Sequence, residues 1–403
     1  MISIYETPVG MKFKERQLWA KEYFSPWTYE RPLLIREATD RHVADLQTIL
    51  QKSIEHFVLN YDRYAHLMPL TSDVKRVLSF FEGKSYRIGS YRTDFVIDEQ
   101  LQFKLIEITC RFAFNGYWLS GFLNLLSQDY AGRNQLYVSQ PFMTFLEYIY
   151  ERLKGKEIVI LSHKGKSEES RFYQPVLEKA GYQVRKIYLE EIENEVAEVN
   201  GKVFITELNQ EDYFELSDET LRQLAEAEVM NDLRTVFLIH DKRFLAVLGD
   251  AEFRAAVLAK DEIELLDKFY VPTYGQHGAE VQWQEARTQK DHWILKHKHL
   301  GKSMKVYAGK LLSETEWQQI FESNEVKDLI LQPFIKQPHF KGQIGEKIYK
   351  DFVVGTMLFF DDRYFGLGLF RASSHPITNV IDDRKVMHLN VMDNKKYEEF
   401  YQL

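Results

Sequence analysis

The chain has 403 residues, 45% of them hydrophobic and 14% aromatic, so it can bury large cores and should form two or three lobes. Its formal net charge is −8, and its 52 basic and 60 acidic residues are well interspersed, which argues against a strongly basic nucleic-acid surface. The single cysteine, Cys110, excludes a disulfide framework and a cysteine-rich zinc site. Neither a signal-peptide pattern nor an 18-residue apolar run is found. We therefore expect a soluble, cytoplasmic protein that contacts neither a membrane nor nucleic acid.

Two helices are the first elements that the sequence predicts. Residues 38–58 have the apolar spacing of an amphipathic helix, with Thr39 or Asp40 as its N-cap. Residues 72–84 give a second helical pattern. These helices lead into the most informative segment of the chain.

Residues 91–111 read YRTDFVIDEQLQFKLIEITCR, two short β-type runs joined by a polar turn. Because side chains alternate along a strand, Arg92 and Asp94 share one face of the first run, and Glu107 and Thr109 share one face of the second. An even-length loop would put both pairs on the same side of the hairpin.

Two carboxylates beside an arginine are costly unless a cation or a polyanion completes the site. Hard oxygen ligands of this kind suit Mg²⁺, which takes one or two carboxylates and leaves its other positions to water and phosphates. The alternative interpretation is the exposed, charged face of an ordinary hairpin. Cys110, which directly follows Thr109 in this segment, is interpreted as a core residue.

The next part of the chain changes from helices to alternating strands and helices. The predicted order is helix (115–132), helix (137–153), strand (157–164), helix (169–181), strand (182–192) and hairpin (199–209). The strand, helix and strand in the middle form a βαβ unit. We therefore assign residues 136–235 to a small Rossmann-like α/β domain, which follows a region of helices and the hairpin at 1–135.

Residues 236–403 are predicted to form the remaining lobes. The predicted order is strand (236–240), helix (242–258), a loop through Pro272, two strands (293–298 and 302–310) around a loop with Gly301, strand (329–335) and hairpin (351–373). The alternation in the last hairpin is a strong antiparallel signal.

Two lysines in this region stand where they could grip a nucleotide phosphate. Lys242 follows an apolar run, and Lys296 ends a strand and opens a loop that contains Gly301. Such an arrangement resembles a phosphate clamp, although lysines at strand ends are also common on surfaces. Residues 332–335 (QPFI) fit either an interlobe hinge that pairs with an adenine edge or a strand ended by a proline.

The order of these pieces is more specific than any one of them. HDKRFLAVL, VPTY, WILKHKHLGKSMKVYAG, LILQPFI and a hairpin ending in GLFRAS resemble, in this order, the core of an ATP-grasp ligase. Most ATP-grasp chains place the metal strands, Arg-x-Asp and Glu-x-Asn, after the hinge, whereas the matching RTD and EIT stand ahead of it here. The chain is therefore similar to the circularly permuted ATP-grasp family, the group of the synthetase domain of glutathionylspermidine synthase. The resemblance spans about 85–135 and 155–385.

This resemblance implies an α/β (α+β) ATP-grasp fold, the use of ATP and Mg²⁺, and a role for each matching residue. Asp94, Glu107 and Thr109 would stand at the metal, Lys242 and Lys296 at the phosphates, Gln332, Phe334 and Ile335 at the adenine, and Arg92 and Arg371 at the transferring phosphoryl group. The implied reaction joins a carboxylate to an amine through an acyl phosphate and releases ADP and phosphate. Arg92, together with Arg111, would stabilise the tetrahedral intermediate.

Departures from the family pattern keep two alternatives open. Thr109 offers a hydroxyl where the family has an asparagine carbonyl, the loop after Lys296 is poor in glycine, and the segment after Arg371 lacks a double glycine. These features favour a non-catalytic nucleotide-binding protein, and a kinase on the same fold is a third hypothesis. The retained metal hairpin and both lysines favour the ligase. Its expected partners are a small-molecule carboxylate and an amine (amino acid, peptide or polyamine), with a homodimer as one option for assembly.

Overall fold

The structure is a computed structural model. It describes residues 32–134, 136–165, 169–196, 198–380 and 382–391, together with residues 9, 11, 12 and 15. None of the helices in these ranges is both long enough and apolar enough to cross a lipid bilayer.

The described chain contains both strands and helices. The strands are β1 (Leu33–Arg36), β2 (Ser90–Ile97), β3 (Phe103–Thr109), β4 (Glu157–Ser162), β5 (Val184–Tyr188), β6 (Lys202–Glu207), β7 (Glu228–Val229), β8 (Trp293–His297), β9 (Val306–Ala308), β10 (Leu329–Pro333), β11 (Phe340–Ile344), β12 (Lys347–Phe360), β13 (Arg363–Leu367), β14 (Phe370–Ser373), β15 (Arg384–Val386) and β16 (His388–Val391). The α-helices are α1 (Glu37–Leu59), α2 (Tyr61–Tyr64), α3 (Ser72–Ser79), α4 (Tyr117–Asn134), α5 (Phe142–Leu153), α6 (Ser170–Lys179), α7 (Ile192–Glu195), α8 (Gln210–Phe214), α9 (Asp218–Glu226), α10 (Phe244–Gly249), α11 (Ala251–Val257), α12 (Lys260–Phe269), α13 (Glu280–Thr288) and α14 (Glu314–Glu322). This mixture confirms the predicted α/β (α+β) class.

The largest sheet joins distant parts of the chain. Its main path runs β15-β14-β12-β2-β3, and β11 and β13 also pair with β12. The predicted hairpin β2–β3 therefore lies beside the long C-terminal strand β12, in antiparallel register with Asp94 opposite Thr356. One face packs on α1 and on the helices that follow residue 240, around buried side chains such as Phe95, Phe359 and Phe57. This pairing brings β14, which carries Arg371, close to the hairpin.

The register of β2 and β3 depends on one irregularity. The loop from Asp98 to Gln102 has an odd number of residues, contrary to the even length that was expected, and beyond it Phe95 pairs with Leu105. A register shift leaves Ile106 as an extra residue, so that Asp94 pairs with Glu107. Because a slip of one residue turns a side chain to the other face, this bulge is what keeps Glu107 on the side of Asp94.

A second, fully parallel sheet has the order β5-β4-β6-β7. This order and the intervening helices match the predicted Rossmann-like unit, whose topological switch point lies between β4 and β6. The hairpin predicted at 199–209 is wrong, since only β6 is a strand there. Val203 and Ile205 in β6 pair with the buried strand β4 instead of with the residues before Gly201, which form a turn.

A third sheet, β10-β8-β9, carries Lys296 and Gln332 and packs on α13 and α14 through Trp283 and Trp317. The parallel pair β1–β16 ties residues 33–36 to residues 388–391. The predicted boundaries at 1–135, 136–235 and 236–403 stay predictions, because both ends of the chain contribute strands to shared sheets.

Residues 236–240, predicted as a strand, lie in a π-helix (Thr235–Ile239) and its C-cap. All the side chains of the π-helix are buried, and a short apolar run does not distinguish a buried strand from a buried helix. The helix predicted at 242–258 is interrupted as well, because the Asp250 carboxylate accepts a hydrogen bond from the Phe253 amide and caps α11. The π-helix is a rare element that is frequent at functional sites, and it ends directly before the segment with Lys242.

Candidate active site

One cavity of about 1000 Å³ lies between the largest sheet and the third sheet. Its walls come from β2 and β3, from β8 and β10, and from the loop that leads into α6. The structure brings all the predicted site residues to this cavity. They are Arg92, Asp94, Glu107, Thr109, Lys242, Lys296, Gln332, Phe334, Ile335 and Arg371.

Asp94 and Glu107 stand opposite each other across β2 and β3 and form the acidic part of the cavity. Like charges at directly opposed positions destabilise a sheet, so this pair requires cations. Among the residues described, no group of three or more His, Cys, Asp or Glu side chains is arranged to hold a metal ion. Two carboxylates with the Thr109 hydroxyl beside them nevertheless fit Mg²⁺, which draws its remaining ligands from water and phosphate oxygens.

Two arginines approach Asp94 from different strands. Arg92 Nε donates to Asp94 Oδ1 at 2.9 Å, and Arg371 Nη2 donates to Asp94 Oδ2 at 3.3 Å. Arg92 Nη1 also donates to Asn115 Oδ1 at 3.2 Å. The next residue, Gly116, has φ +80°, and a Cβ atom there would lie 2.8 Å from Arg92 Nη1. The turn after β3 thus needs glycine both for its left-handed backbone and for its closeness to the guanidinium.

Lys242 follows the π-helix and Lys296 lies on β8, and both lysine side chains are almost completely buried. Lys242 Nζ lies 3.1 Å from Glu107 Oε1, and its side chain is only 2% exposed. Lys296 Nζ donates to the Ile106 carbonyl at 3.5 Å. Burial lowers the pKa of Lys296 to about 8, against the opposing effect of Glu107. An anion bound between the lysines would favour their charged forms.

The loop after Lys296 closes over Lys242. Lys242 Nζ donates to the Leu300 carbonyl at 2.7 Å, and the Lys242 amide donates to the Lys298 carbonyl at 2.9 Å. Lys302 and Ser303 take positive φ angles of 54° and 59° although neither is glycine. Each such residue costs of the order of 1 kcal/mol. The glycine-poor loop therefore reaches a conformation that glycine would adopt without strain.

The predicted adenine segment lies on β10 and just beyond it. Gln332 Nε2 donates to Thr273 Oγ1 at 2.8 Å, and Gln332 Oε1 is buried without a partner in the described part of the chain. The Phe334 amide donates to the His292 carbonyl at 2.7 Å. A nucleobase would therefore have to bind through the neighbouring groups, such as Gln332 Oε1 or the backbone of Ile335.

The cavity also contains residues that the sequence did not single out. Glu169 precedes α6, and its Oε2 has no hydrogen-bond partner in the described ranges. Burial, and then the charge of Glu207, raise the pKa of Glu169 to about 7. His240 lines the cavity two residues before Lys242 and is 2% exposed. The adjacency to the HDK motif was the only signal for His240, and nothing local marked Glu169.

Comparisons with known proteins cover different parts of the chain. The family described as the AnkG N-terminal domain matches residues 46–238. In sequence, the chain is 32% identical over 194 residues to the ATP-grasp enzyme ankG from Aspergillus thermomutatus. This match covers 42% of the chain and 39% of that protein, so the chain spans about two fifths of the relative's length. The family match includes the β2–β3 hairpin and ends before Lys242.

In structure, the chain is similar to the apo form of a glutathione synthetase-like effector from Globodera pallida. The TM-score is 0.61 at 12% sequence identity, over 96% of this chain and 99% of the other. A likeness at this identity concerns the fold, and the fold is of the ATP-grasp type, as predicted.

Proposed function

We propose that this protein is an ATP-dependent carboxylate–amine ligase that forms an amide or peptide bond through an acyl phosphate and releases ADP and phosphate. The observation that carries the proposal is the convergence in one cavity of a cross-strand carboxylate pair, two buried lysines and two arginines. This charge pattern suits a polyphosphate with its metal ion. The ATP-grasp name of the relative and the fold support the same proposal.

In this proposal Asp94, Glu107 and Thr109 hold Mg²⁺, which supplies charge neutralisation at the phosphates when bound. Lys242 and Lys296 bind phosphate oxygens, and Gln332, Phe334 and Ile335 line the adenine pocket. Each lysine is buried and contacts the acidic hairpin, so an incoming phosphate would lie between the lysines and the carboxylates. The cofactors are therefore ATP and Mg²⁺.

The chemistry proceeds in two displacements. A carboxylate oxygen of the acid attacks the γ-phosphorus, the new O–P bond forms, and the bond to the bridging oxygen breaks as ADP leaves. The amine nitrogen then attacks the carbonyl carbon, and the tetrahedral intermediate collapses as the C–O bond to phosphate breaks. Arg92 and Arg371 stabilise the charge on the transferring group. No side-chain nucleophile is needed.

The amine is proposed to enter from the side of Glu169. Its carboxylate is near Arg92 and has an oxygen without a partner within the described ranges, so it can bind an ammonium group. With a pKa of about 7, Glu169 can also accept the proton that the nitrogen loses on attack. The substrates would be a small carboxylate and an amino acid, peptide or polyamine, without nucleic acid or membrane, and with a homodimer as one form of assembly.

Two further proposals concern kinship and catalytic status. The position of the β2–β3 hairpin ahead of Lys242 in the chain supports kinship with the circularly permuted group of the synthetase domain of glutathionylspermidine synthase. Thr109, which offers only a hydroxyl, supports the alternative of a non-catalytic nucleotide-binding protein. A kinase on the same fold would transfer the phosphoryl group without ligation.

The deciding experiment uses a panel of carboxylates with ATP, Mg²⁺ and hydroxylamine. We expect hydroxamate from at least one acid, with one ADP and one phosphate formed for each hydroxamate. Radiolabelled ATP separates ADP from AMP, and AMP with pyrophosphate would contradict the mechanism. A phosphorylated acceptor without hydroxamate would indicate a kinase, and ATP binding without turnover would indicate the non-catalytic alternative.

A further inference from the structure

Two buried N–H groups of the cavity wall have no role in the mechanism proposed above, although the family resemblance implies that Arg111 acts at the tetrahedral intermediate. His240 Nε2 and Arg111 Nε are both buried and lack hydrogen-bond partners among the described residues. Both side chains line the cavity. A buried donor without an acceptor costs free energy, so a ligand that supplies an acceptor oxygen would be favoured at this position.

The histidine is held as a neutral donor. The Cys110 amide approaches His240 Nδ1 at 3.5 Å, which makes Nδ1 the acceptor and places the ring proton on Nε2. Burial, and then the charges of Arg111, Lys242 and His299, hold the pKa of His240 well below its usual value, against the opposing charge of Asp241. His240 therefore presents an N–H group, not a positive charge, at neutral pH.

The order of contacts along β3 shows which part of a ligand reaches these donors. The Ile106 carbonyl contacts Lys296, and the Glu107 carboxylate contacts Lys242, both from the nucleotide side. Arg111 comes after the end of β3, where the acidic charges that act on it most strongly include Glu211 of α8. Arg111 thus follows the metal pair along the chain and lies beyond the end of β3, close enough to Glu107 for that carboxylate to act on its charge as well.

We infer that His240 and Arg111 form the subsite for the carboxylate of the acid substrate and donate to the oxygen that does not attack phosphorus. This inference rests on the proposed ligase function. When the other oxygen forms its bond to the γ-phosphorus and ADP leaves, the held oxygen becomes the carbonyl oxygen of the acyl phosphate. After the amine attacks, this oxygen carries the negative charge, until the C–O bond to phosphate breaks and the carbonyl re-forms. His240 donates a hydrogen bond throughout and transfers no proton.

The test compares two substitutions of His240 that differ in one property. His240→Leu removes the donor, whereas His240→Gln keeps an amide N–H at a similar reach. The assay is hydroxamate formation with ATP, Mg²⁺ and hydroxylamine, using whichever of N-acetylglycine, glutamate, glycylglycine and glutathione gives the highest yield with the wild type. We expect His240→Leu to raise the KM for the acid by about tenfold to a hundredfold, with the KM for ATP within about twofold. His240→Gln should recover most of this loss, and Arg111→Met should show the same selective effect on the acid.

The controls separate this inference from folding and from the ligase proposal. His388→Leu changes a half-buried histidine, which packs against Phe370 and is not among the residues of the cavity wall, and should leave the KM for the acid unchanged. Binding of a non-hydrolysable ATP analogue checks that each variant is folded, and Arg111→Met carries the test if His240→Leu is not. An unchanged KM for the acid in folded variants, or an increase confined to ATP, would overturn the subsite alone. A wild type that binds the analogue but makes no hydroxamate would overturn the ligase function and the subsite with it.

Discussion

At the scale of single residues, Asp94 has the most contacts to charged groups in the cavity. It accepts hydrogen bonds from Arg92 and Arg371 and stands opposite Glu107, while Glu107 in turn contacts Lys242. The two carboxylates thus link groups from four different parts of the chain. Asp94 and Glu107 carry two negative charges against four positive charges on Arg92, Arg371, Lys242 and Lys296, and a bound metal ion with its polyphosphate would supply further negative charge.

Removing one negative charge from this pair should lower turnover strongly and leave the fold intact. We expect Asp94→Asn and Glu107→Gln each to lower turnover by about a hundredfold or more, because charge neutralisation at the phosphates is lost. Phosphate release measures turnover, and circular dichroism measures the fold. Glu99→Gln, at an exposed position in the loop of the same hairpin, should behave like the wild type. Wild-type turnover in either site variant would refute the metal assignment.

Lys296 should make nucleotide binding sensitive to pH. Its pKa is lowered to about 8, chiefly by burial, so the side chain is charged below this pH and neutral above it. A bound phosphate favours the charged form, and we therefore expect ATP affinity to be nearly constant up to about pH 8 and to fall above it, with proton uptake on binding. Calorimetry at pH 8.5 in two buffers of different ionisation enthalpy measures this uptake. In Lys296→Arg, which stays charged, the decline should disappear, and identical profiles would count against the assignment.

At the scale of elements, the site depends on short irregular segments between regular ones. The bulge at Ile106 sets which face Glu107 occupies, and the π-helix Thr235–Ile239 delivers His240 and Lys242 to the cavity wall. The turn through Gly116 lets the backbone approach Arg92. The regular strands form a rigid scaffold, and these irregular segments determine which charged side chains face the cavity.

Gly116→Ala tests whether the turn positions Arg92. The added Cβ would lie 2.8 Å from Arg92 Nη1 on a backbone with φ +80°, so the guanidinium must shift. We expect a loss of stability of about 1 kcal/mol, a turnover lower by about tenfold or more, and an ATP affinity within about twofold of the wild type.

A matched glycine separates backbone strain from the collision with Arg92. Gly83 has a similar φ of +70°, but nothing lies within 4 Å of a Cβ built there. Gly83→Ala should therefore lose similar stability in urea unfolding and keep full turnover. Equal turnover in the two alanine variants would mean that the Gly116 turn does not position Arg92.

At the scale of the whole molecule, the cavity lies between the largest sheet and the third sheet, and ion pairs already cross it. Lys242 contacts Glu107, and Arg371 contacts Asp94, in each case between segments that are far apart in the chain. A nucleotide in this position would contact every wall at once. Its binding should therefore stabilise the whole fold and not only a local loop.

Ligand-linked stability measures this coupling. A non-hydrolysable ATP analogue with Mg²⁺ at about 100 times its Kd should add about 2.7 kcal/mol to the free energy of unfolding. Lys242→Met and Lys296→Met should weaken binding of the analogue much more than binding of adenosine, because they remove a phosphate contact and keep most of the apolar stem. Lys260→Met, at an exposed lysine, is the control. Equal losses for both ligands would indicate a structural role for the two lysines.

Local patterns in the sequence were sufficient for the class and for much of the site. The alternation around Arg92 and Asp94 predicts a hairpin because facing along a strand depends only on neighbouring residues. The order of motifs predicts the ATP-grasp fold, since each motif is a short segment with its own signature. The spacing of apolar residues predicted the wrong structure at 199–209 and at 236–240, and the loop at 98–102 has an odd length instead of an even one. In these segments strand pairing, burial on all sides or a bulge determined the structure, and none of these depends on a local repeat.

Only the tertiary structure decided which residues meet. Lys242 and Arg371 reach the carboxylates of β3 and β2, and Lys296 reaches the Ile106 carbonyl, through contacts between distant segments. Such contacts leave no trace in the spacing of residues along the chain. His240 and Glu169 were recognised as candidate site residues for the same reason. No pattern in the sequence singles them out, and it is their position in the cavity wall that indicates a role. The sequence by itself determined the chemical groups and the secondary structure around the hairpin. Packing determined their convergence, because burial and charge pairing depend on the neighbours that the fold supplies.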